Sequence, residues 1–301
     1  MAKPTQQSTD WDFTVEREKL YLPNGTDAGL WAHVRQDNGT VVGHGTDDYG
    51  LVNNRDVVGR AKDSFARAGL NDYEEKIQVF EGGKRMRALF DFKDEILEIP
   101  KVGDQIGFRL MINNSFDRSL RISFSLGFLR LWCTNGCASL VEEFGLTAKH
   151  SAKVNVDNLI TDNALNKALD AFKGQRQIFT RLADTELTQE EGLAVLENLK
   201  KPARQGGVEL AEKNREQIAL KWNNPAEYDQ DRNLYNLYNA ATAFLTHDYE
   251  QDNFENAQDL NRRILKTLSP VGKGRKKENE KQYADRIKAL TILPVADVSQ
   301  N

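Results

Sequence analysis

Apolar and polar residues alternate along the first half of the chain and recur every three to four residues along the second, which predicts strands followed by helices. Leu30-Trp31-Ala32-His33-Val34 and Thr40-Val41-Val42 flank Asp37-Asn38-Gly39, a hairpin signal because Asn and Gly accept the positive φ of tight turns. A helix capped by Asn53 or Asn54 follows, its buried stripe formed by Val57, Val58, Ala61, Phe65 and Ala68. A second hairpin runs through Ile77–Phe80, turns at Gly82-Gly83 and returns along Arg85–Phe90. The return strand alternates, placing Met86 toward the core and Lys84, Arg85 and Arg87 near one solvent-facing edge or face. Ile106–Ile112 and Leu120–Leu126 predict a third hairpin, broken at Asn113-Asn114-Ser115-Phe116-Asp117.

After Asn155 the helical period takes over, carried by Leu159, Ala164, Leu165, Ala168, Leu169 and Phe172, then by Ile178, Phe179 and Leu182. Thr188 and Glu191 have capping-box spacing ahead of Leu193, Leu196 and Leu199, and Lys201-Pro202 ends that helix. Further helices are expected over 208–222, 231–247 and 253–268, with a short one after the Gly- and Lys-rich stretch 271–277. The expected class is α+β: an antiparallel sheet built of hairpins with packed helices, followed by a mainly helical C-terminal portion. The regions divide as an N-terminal extension (1–28), a sheet-rich region (29–155), a helical region (156–269) and a basic linker and tail (270–301).

Composition adds limits. The 301 residues are 39% hydrophobic and 29% charged, as in an ordinary globular protein able to bury its own core. No apolar run reaches the roughly 18 residues that cross a bilayer, and the first ten residues lack the apolar centre of a secretory signal. A cytoplasmic protein with no membrane partner is expected, and Cys133 and Cys137 are then reduced thiols in C-x3-C spacing. The net charge of −4 argues against coating DNA by bulk charge. Its distribution is uneven: Arg262–Lys288 holds ten Lys/Arg against three Asp/Glu, and Pro225–Leu260 holds eight acids against Arg232 alone. Two helix faces that attract each other, or a basic arm for an anionic partner, would equally give this pattern.

Catalytic motifs are sparse. His33, His44, His150 and His247 are scattered outside any H-E-x-x-H or H-x-H arrangement, so no metal site is expected. Gly43-His44-Gly45 lacks the Lys-Ser/Thr ending of a phosphate loop, and no cofactor is implied. Cys133 reads as a small hydrophobe at a strand end, and the adjacent Glu142 and Glu143 would point to opposite faces of a strand. A binding role is favoured over catalysis, and a hydrolase or transferase using one of these carboxylates with His150 stays open as a third reading.

Three blocks stand out in order: Leu131-Trp132-Cys133-Thr134-Asn135-Gly136-Cys137, then Ala148-Lys149-His150-Ser151, then the helix Leu234-Tyr235-Asn236-Leu237-Tyr238-Asn239-Ala240-Ala241-Thr242. Together they resemble a family of phage- and plasmid-borne proteins, also found in prophage regions and catalogued as a domain of unknown function. The resemblance runs from about Tyr49 to Leu268 and rests on Cys133, Asn135, Gly136, His150 and Asn239. It implies a shared fold in a mobile-element setting, in a bacterial host's cytoplasm, without lending a chemistry. Without function, Asn135-Gly136 makes a turn, and His150 would bond to its amide or to a backbone carbonyl.

The first functional expectation is single-stranded DNA binding, or strand annealing in replication or recombination. An antiparallel sheet followed by helices looks like the architecture of single-strand annealing proteins, a fold-level analogy. Lys84, Arg85, Arg87, Arg109, Arg118, Arg121 and Arg130 would contact phosphates and Phe116, at a hairpin tip, would stack on a base. Arg109 and Arg121 would as readily pair with acids. The alternative is a protein-interaction module, self-assembling into a homo-oligomer or directed at a host protein, using Tyr235, Tyr238 and Phe244. Core packing is the commoner fate of such a stripe.

Overall fold

The computed structural model describes residues 10–130, 146–158, 161–199, 210–249, 254–270 and 278–293. Among them are two antiparallel sheets and seven α-helices, an α+β protein with a mainly helical C-terminal part. The chain divides into two compact units: Met1–Glu95, Phe108–Gly127 and Val141–Ala171 form the first, and Ile96–Gly107, Phe128–Leu140 and Phe172–Asn301 the second.

The first unit holds a three-stranded sheet in the order β1 (Val15–Tyr21), β2 (Asp27–Arg35), β3 (Val41–Gly45). The β2–β3 turn has Gly39 at φ 71°, as the Asn-Gly pair requires. β1 lies within the stretch expected to be an extension. Its alternation of Glu16, Glu18 with Arg17, Lys19 offers little apolar signal, as suits an edge strand held by backbone pairing to β2. Helix α1 (Asn54–Arg67) buries Val57, Val58, Ala61, Ser64 and Phe65. Asn53 occupies the N-cap position but gives its side chain elsewhere: Oδ1 accepts from the Val15 amide (2.7 Å), tying the start of β1 to the helix.

A five-stranded sheet follows in sequence order: β4 (Tyr73–Phe80), β5 (Arg85–Ile99), β6 (Asp104–Ser115), β7 (Ile122–Arg130) and β8 (Leu146–Ala148). Met86, Ala88 and Phe90 of β5 are buried in alternation, the pattern of a strand with one face on the core. Phe65 of α1 packs edge-on against Phe90 and Phe92 at 5.1 Å, and Phe92 lies 5.2 Å from Phe108 of β6. β6 is covered on both faces over most of its length, including Asn113, Asn114 and Ser115, so the expected break is still strand. Their side-chain donors are bonded, which offsets part of the cost of burial, although Asn113 Oδ1 and Asn114 Oδ1 have no donor among the described residues. Asn113 donates to Ser123 Oγ (3.0 Å), Asn114 donates to Val52 O (3.0 Å) and Asn54 Oδ1 (2.9 Å), and Ser115 Oγ exchanges bonds with the Leu120 backbone.

The second unit is helical: the C-terminal part of α2 (Asp162–Asp184), then α3 (Gln189–Asn198), α4 (Glu212–Asn223), α5 (Leu234–His247), α6 (Phe254–Leu268) and α7 (Glu280–Leu290). α3 begins with the Thr188–Glu191 capping box, both reciprocal bonds formed. Tyr235 and Tyr238 are buried on α5, their rings against Phe179, and the Tyr238 hydroxyl lies 2.7 Å from Asn261 Oδ1. The aromatic stripe, Phe244 included, is therefore core. Arg262 and Arg263 pair with Asp259 and Arg286 with Glu278, so three cations of the basic segment have acidic partners close by. Residues 271–277 lie outside the described ones, as do Cys133, Asn135, Gly136, Cys137, Glu142 and Glu143.

Candidate nucleic-acid interface

Two turns and one strand of the first unit meet at the β6–β7 connection. The Phe116 amide donates to Lys84 O (2.8 Å), tying that connection to the β4–β5 turn, where Glu81, Gly82 and Gly83 all have positive φ. β3 crosses so close to Phe116 that a Cβ on Gly43 would overlap the Phe116 carbonyl, so this strand position requires glycine. Asp117 Oδ1 accepts from the Ser119 amide (2.9 Å), and Arg118 is left in the left-handed region at φ 69°.

The expected phosphate contacts separate at this point. Arg85 is held by Ser119 Oγ (2.8 Å), Glu81 (3.1 Å) and, farther off, Asp117 (3.7 Å). Arg109 makes a two-pronged ion pair with Asp91, its Nη2 at 2.6 Å from Oδ2. Arg87 is largely buried, its guanidinium 5.5 Å from the centre of the Phe80 ring. Burial first, and the neighbouring Arg109 charge second, push its pKa down to about 10. Arg85, Arg87 and Arg109 thus serve the fold. Lys84 is half-buried at the turn, and Arg118 and Arg121 are exposed, with no carboxylate partner among the described residues. Arg130 ends β7, and its side chain lies outside the described residues.

Phe116 corrects the expectation of a stacking tip: it is 0% exposed. Its ring packs on Phe13 at 5.9 Å, its amide is bonded to Lys84, and its carbonyl accepts from His33 Nδ1 (2.6 Å). Arg35, whose guanidinium sits 3.7 Å from the centre of the Phe13 ring, reaches Gly82 O (3.2 Å) and closes that side. A base could not reach the Phe116 ring without unpacking these contacts.

Beneath the turn lies a stack of three rings. Tyr49 packs face-on against His33 at 4.5 Å and against His150 at 5.0 Å, and its hydroxyl donates to Ser115 O (2.9 Å). His150 lies 3.1 Å through Nδ1 from Gly50 O, the backbone-carbonyl alternative expected for it. A carbonyl only accepts, so each imidazole carries its proton on Nδ1 and presents a bare Nε2 lone pair. Neither Nε2 has a hydrogen-bond partner among the described residues. Burial lowers the pKa of both histidines, outweighing the carbonyl bonds, and burial raises that of Tyr49. All three rings are therefore neutral near pH 7, and the stack acts as a wedge that sets the turn above it. Among the described residues no three His, Cys, Asp or Glu side chains gather as metal ligands.

Sequence reasoning missed one feature beside this region. Lys19 and Arg17 of β1 pair in register with Trp31 and His33 of β2, and side chains of paired residues share a face. Arg17 and Lys19 both lie over the Trp31 ring, at 4.6 and 5.3 Å, and Trp31 Nε1 donates to Asp47 (2.6 Å). The charges of Arg17 and Arg118 both oppose protonation of His33, after burial as the main cause. The period-two spacing of Arg17, Lys19 and Tyr21 was the available signal.

Comparison with known proteins adds one result. The model of the domain of unknown function DUF932 matches residues 41–290, most of the chain. The chain belongs to that family. No curated protein and no solved structure matches it. In this DUF932 protein the matched region takes in β3, the turn with Arg118 and Arg121, His150, and Asn239 on α5; β1, β2, Arg17, Trp31 and His33 precede it. Asn239 is buried, its Nδ2 donating to Asn236 Oδ1 (3.2 Å) and Asp229 Oδ1 (3.3 Å). Among the described residues no helix is long and apolar enough to cross a membrane.

Proposed function

We propose that this protein binds single-stranded DNA at the β6–β7 turn of the first unit, in the replication or recombination of a phage or plasmid. The carrying observation is Arg118, a non-glycine residue at φ 69° whose side chain is exposed beside exposed Arg121. Left-handed backbone costs a bulky residue about 1 kcal/mol or more, and at this turn it accompanies an outward Arg118 beside a second exposed cation. Arg118 and Arg121 contact phosphates, with Lys84 at the rim, while the 61%-exposed Tyr21 supplies a ring face for an unpaired base. Stacking on ring faces requires unstacked bases and so favours single strands over duplex. Fluorescence anisotropy with a labelled single strand and a duplex of equal length tests the proposal. It expects the single strand to bind more tightly, and equal affinity for the two, or none for either, refutes it.

A second reading rests on the β1–β2 hairpin, where Leu20, Tyr21, Leu22 and Leu30 expose apolar surface. This surface, and not the buried Tyr235 and Tyr238, is where a second copy or a host protein would dock. Light scattering on the wild type and on Tyr21→Ser/Leu22→Ser distinguishes the two: a mass above the monomer that falls to the monomer in the variant favours self-assembly.

A further inference from the structure

β1 is an edge strand of the three-stranded sheet, and its backbone groups point alternately toward β2 and away from it. The Thr14 carbonyl accepts from the Gln36 amide on the β2 side (2.9 Å), so Val15, Arg17 and Lys19 turn their N–H and C=O groups outward. At Val15 that outer edge is filled. Asn53 Oδ1 accepts from the Val15 amide (2.7 Å) and Asn53 Nδ2 donates to the Val15 carbonyl (3.4 Å), one carboxamide standing where a peptide group of a next strand would lie. At Arg17 and Lys19 the outer backbone groups meet no partner among the described residues, and Glu16, Glu18, Lys19 and Leu20 are exposed. We propose that this edge takes up an extended segment of a different protein as a fourth, antiparallel strand. The inference narrows the second reading above to one occupant and is independent of DNA binding by the first unit.

The charge pattern selects the segment. A two-fold axis that joins two antiparallel copies of β1 in one sheet sets one residue opposite itself. Centred on Arg17, it also opposes Glu16 to Glu18; centred on Glu18, it opposes Arg17 to Lys19; centred on Lys19, it opposes two ammonium groups. Like charges directly opposite one another are destabilising, so each of these registers disfavours a second copy. A segment of different sequence avoids the conflict. Glu16 and Glu18 have no ionic partner among the described residues, so a base opposite each gains an ion pair, and Leu20, 37% exposed, takes an apolar residue. Arg17 and Lys19, on the other face, already hold Asp47 and Asp27, and a neutral β-branched residue fits opposite each. Read from its N-terminus, the partner is therefore apolar, β-branched, basic, β-branched, basic. Its two β-branched residues exchange pairs of backbone bonds with Lys19 and Arg17.

Fluorescence anisotropy of the full chain with a labelled, end-blocked Val-Thr-Lys-Thr-Lys peptide tests the edge, and saturable binding is expected. The same peptide with Glu at both Lys positions should bind about tenfold more weakly, and Glu16→Lys/Glu18→Lys should reverse the preference. Methylating either Thr amide, which faces β1, should weaken binding about tenfold, whereas methylating the amide of the Lys between them, which faces solvent, should not. These peptide changes leave the protein untouched. Lys19→Pro loses an amide that points away from β2, so it should weaken binding likewise at an unchanged thermal midpoint. Peptide binding kept in Tyr21→Ser/Leu22→Ser places the contact on the edge and not on the apolar tip. A monomeric wild type that binds the peptide removes self-assembly at this hairpin and leaves the inference standing. The inference is overturned if the peptide does not bind saturably, if both charge forms bind alike, or if Thr and Lys methylation act equally. It is also overturned if the wild type is a dimer that Lys19→Pro splits, since a second copy would then hold the edge.

Discussion

Acidification should weaken the first unit through His33 and His150, and the size of the effect follows from their bonds. In the folded state each Nδ1–H donates to a carbonyl, and neither Nε2 has an acceptor among the described residues to stabilise a second proton. Burial lowers both pKa values below the ordinary 6.5, to which unfolding returns them. The sign is fixed by linkage: between the lowered folded value and 6.5 the unfolded chain binds more protons, so stability is complete above about pH 6.5 and is lost as pH falls below it. If neither ring takes up a proton when folded, each removes about 1.4 kcal/mol at pH 5.5, and the pair about 3 kcal/mol at most. Urea unfolding at pH 7.5, 6.5 and 5.5, read by a hydrogen-exchange pulse at one common pH on peptides from β2 and α1, measures this loss. His33→Asn/His150→Asn keeps an N–H donor near each carbonyl and removes the titration, so its profile over this range should be flatter. The reasoning is refuted if the wild type unfolds at the same urea concentration at pH 7.5 and 5.5, or if the double variant is as steep as the wild type.

Gly43→Ala should destabilise the first unit by about 3 kcal/mol, because its Cβ meets the Phe116 carbonyl and backbone, which cannot swing aside. Thermal unfolding measures it, and a midpoint within a degree of the wild type would contradict the close approach. Asp91→Ala should cost about 3 kcal/mol in urea unfolding, since it strands the largely buried Arg109 beside Arg87. Arg109→Met/Asp91→Leu, which removes both charges, should recover most of that loss, and failure to recover would show that the pair matters through packing alone.

Much of the fold was legible because its signals are local. Asp37-Asn38-Gly39 marks its own turn, Thr188 and Glu191 cap a helix through atoms three residues apart, and the α1 stripe needs only its own period. The errors occurred where distant partners decide. Asn113-Asn114-Ser115 looks like a break until Val52 and Asn54, some sixty residues away, accept from Asn114 Nδ2. Phe116 looks like a tip until Phe13 and His33 cover it. β1 carries almost no apolar alternation and is a strand because β2 pairs with it. For the site, the positions of Arg118 and Arg121 on a turn were legible, whereas the engagement of Arg85, Arg87 and Arg109 depends on Glu81, Asp91 and Phe80 across the sheet. The stack of His33, Tyr49 and His150 joins three segments far apart in sequence and left no local trace.

The salt dependence of single-strand binding tests the central claim most directly. With anisotropy measured from 50 to 300 mM salt, Arg118→Ala/Arg121→Ala should bind more weakly and flatten the slope of log K against log salt by about 1.4, two phosphate contacts at roughly 0.7 each. A double variant with the wild-type affinity and slope would contradict the assignment of this turn to nucleic acid.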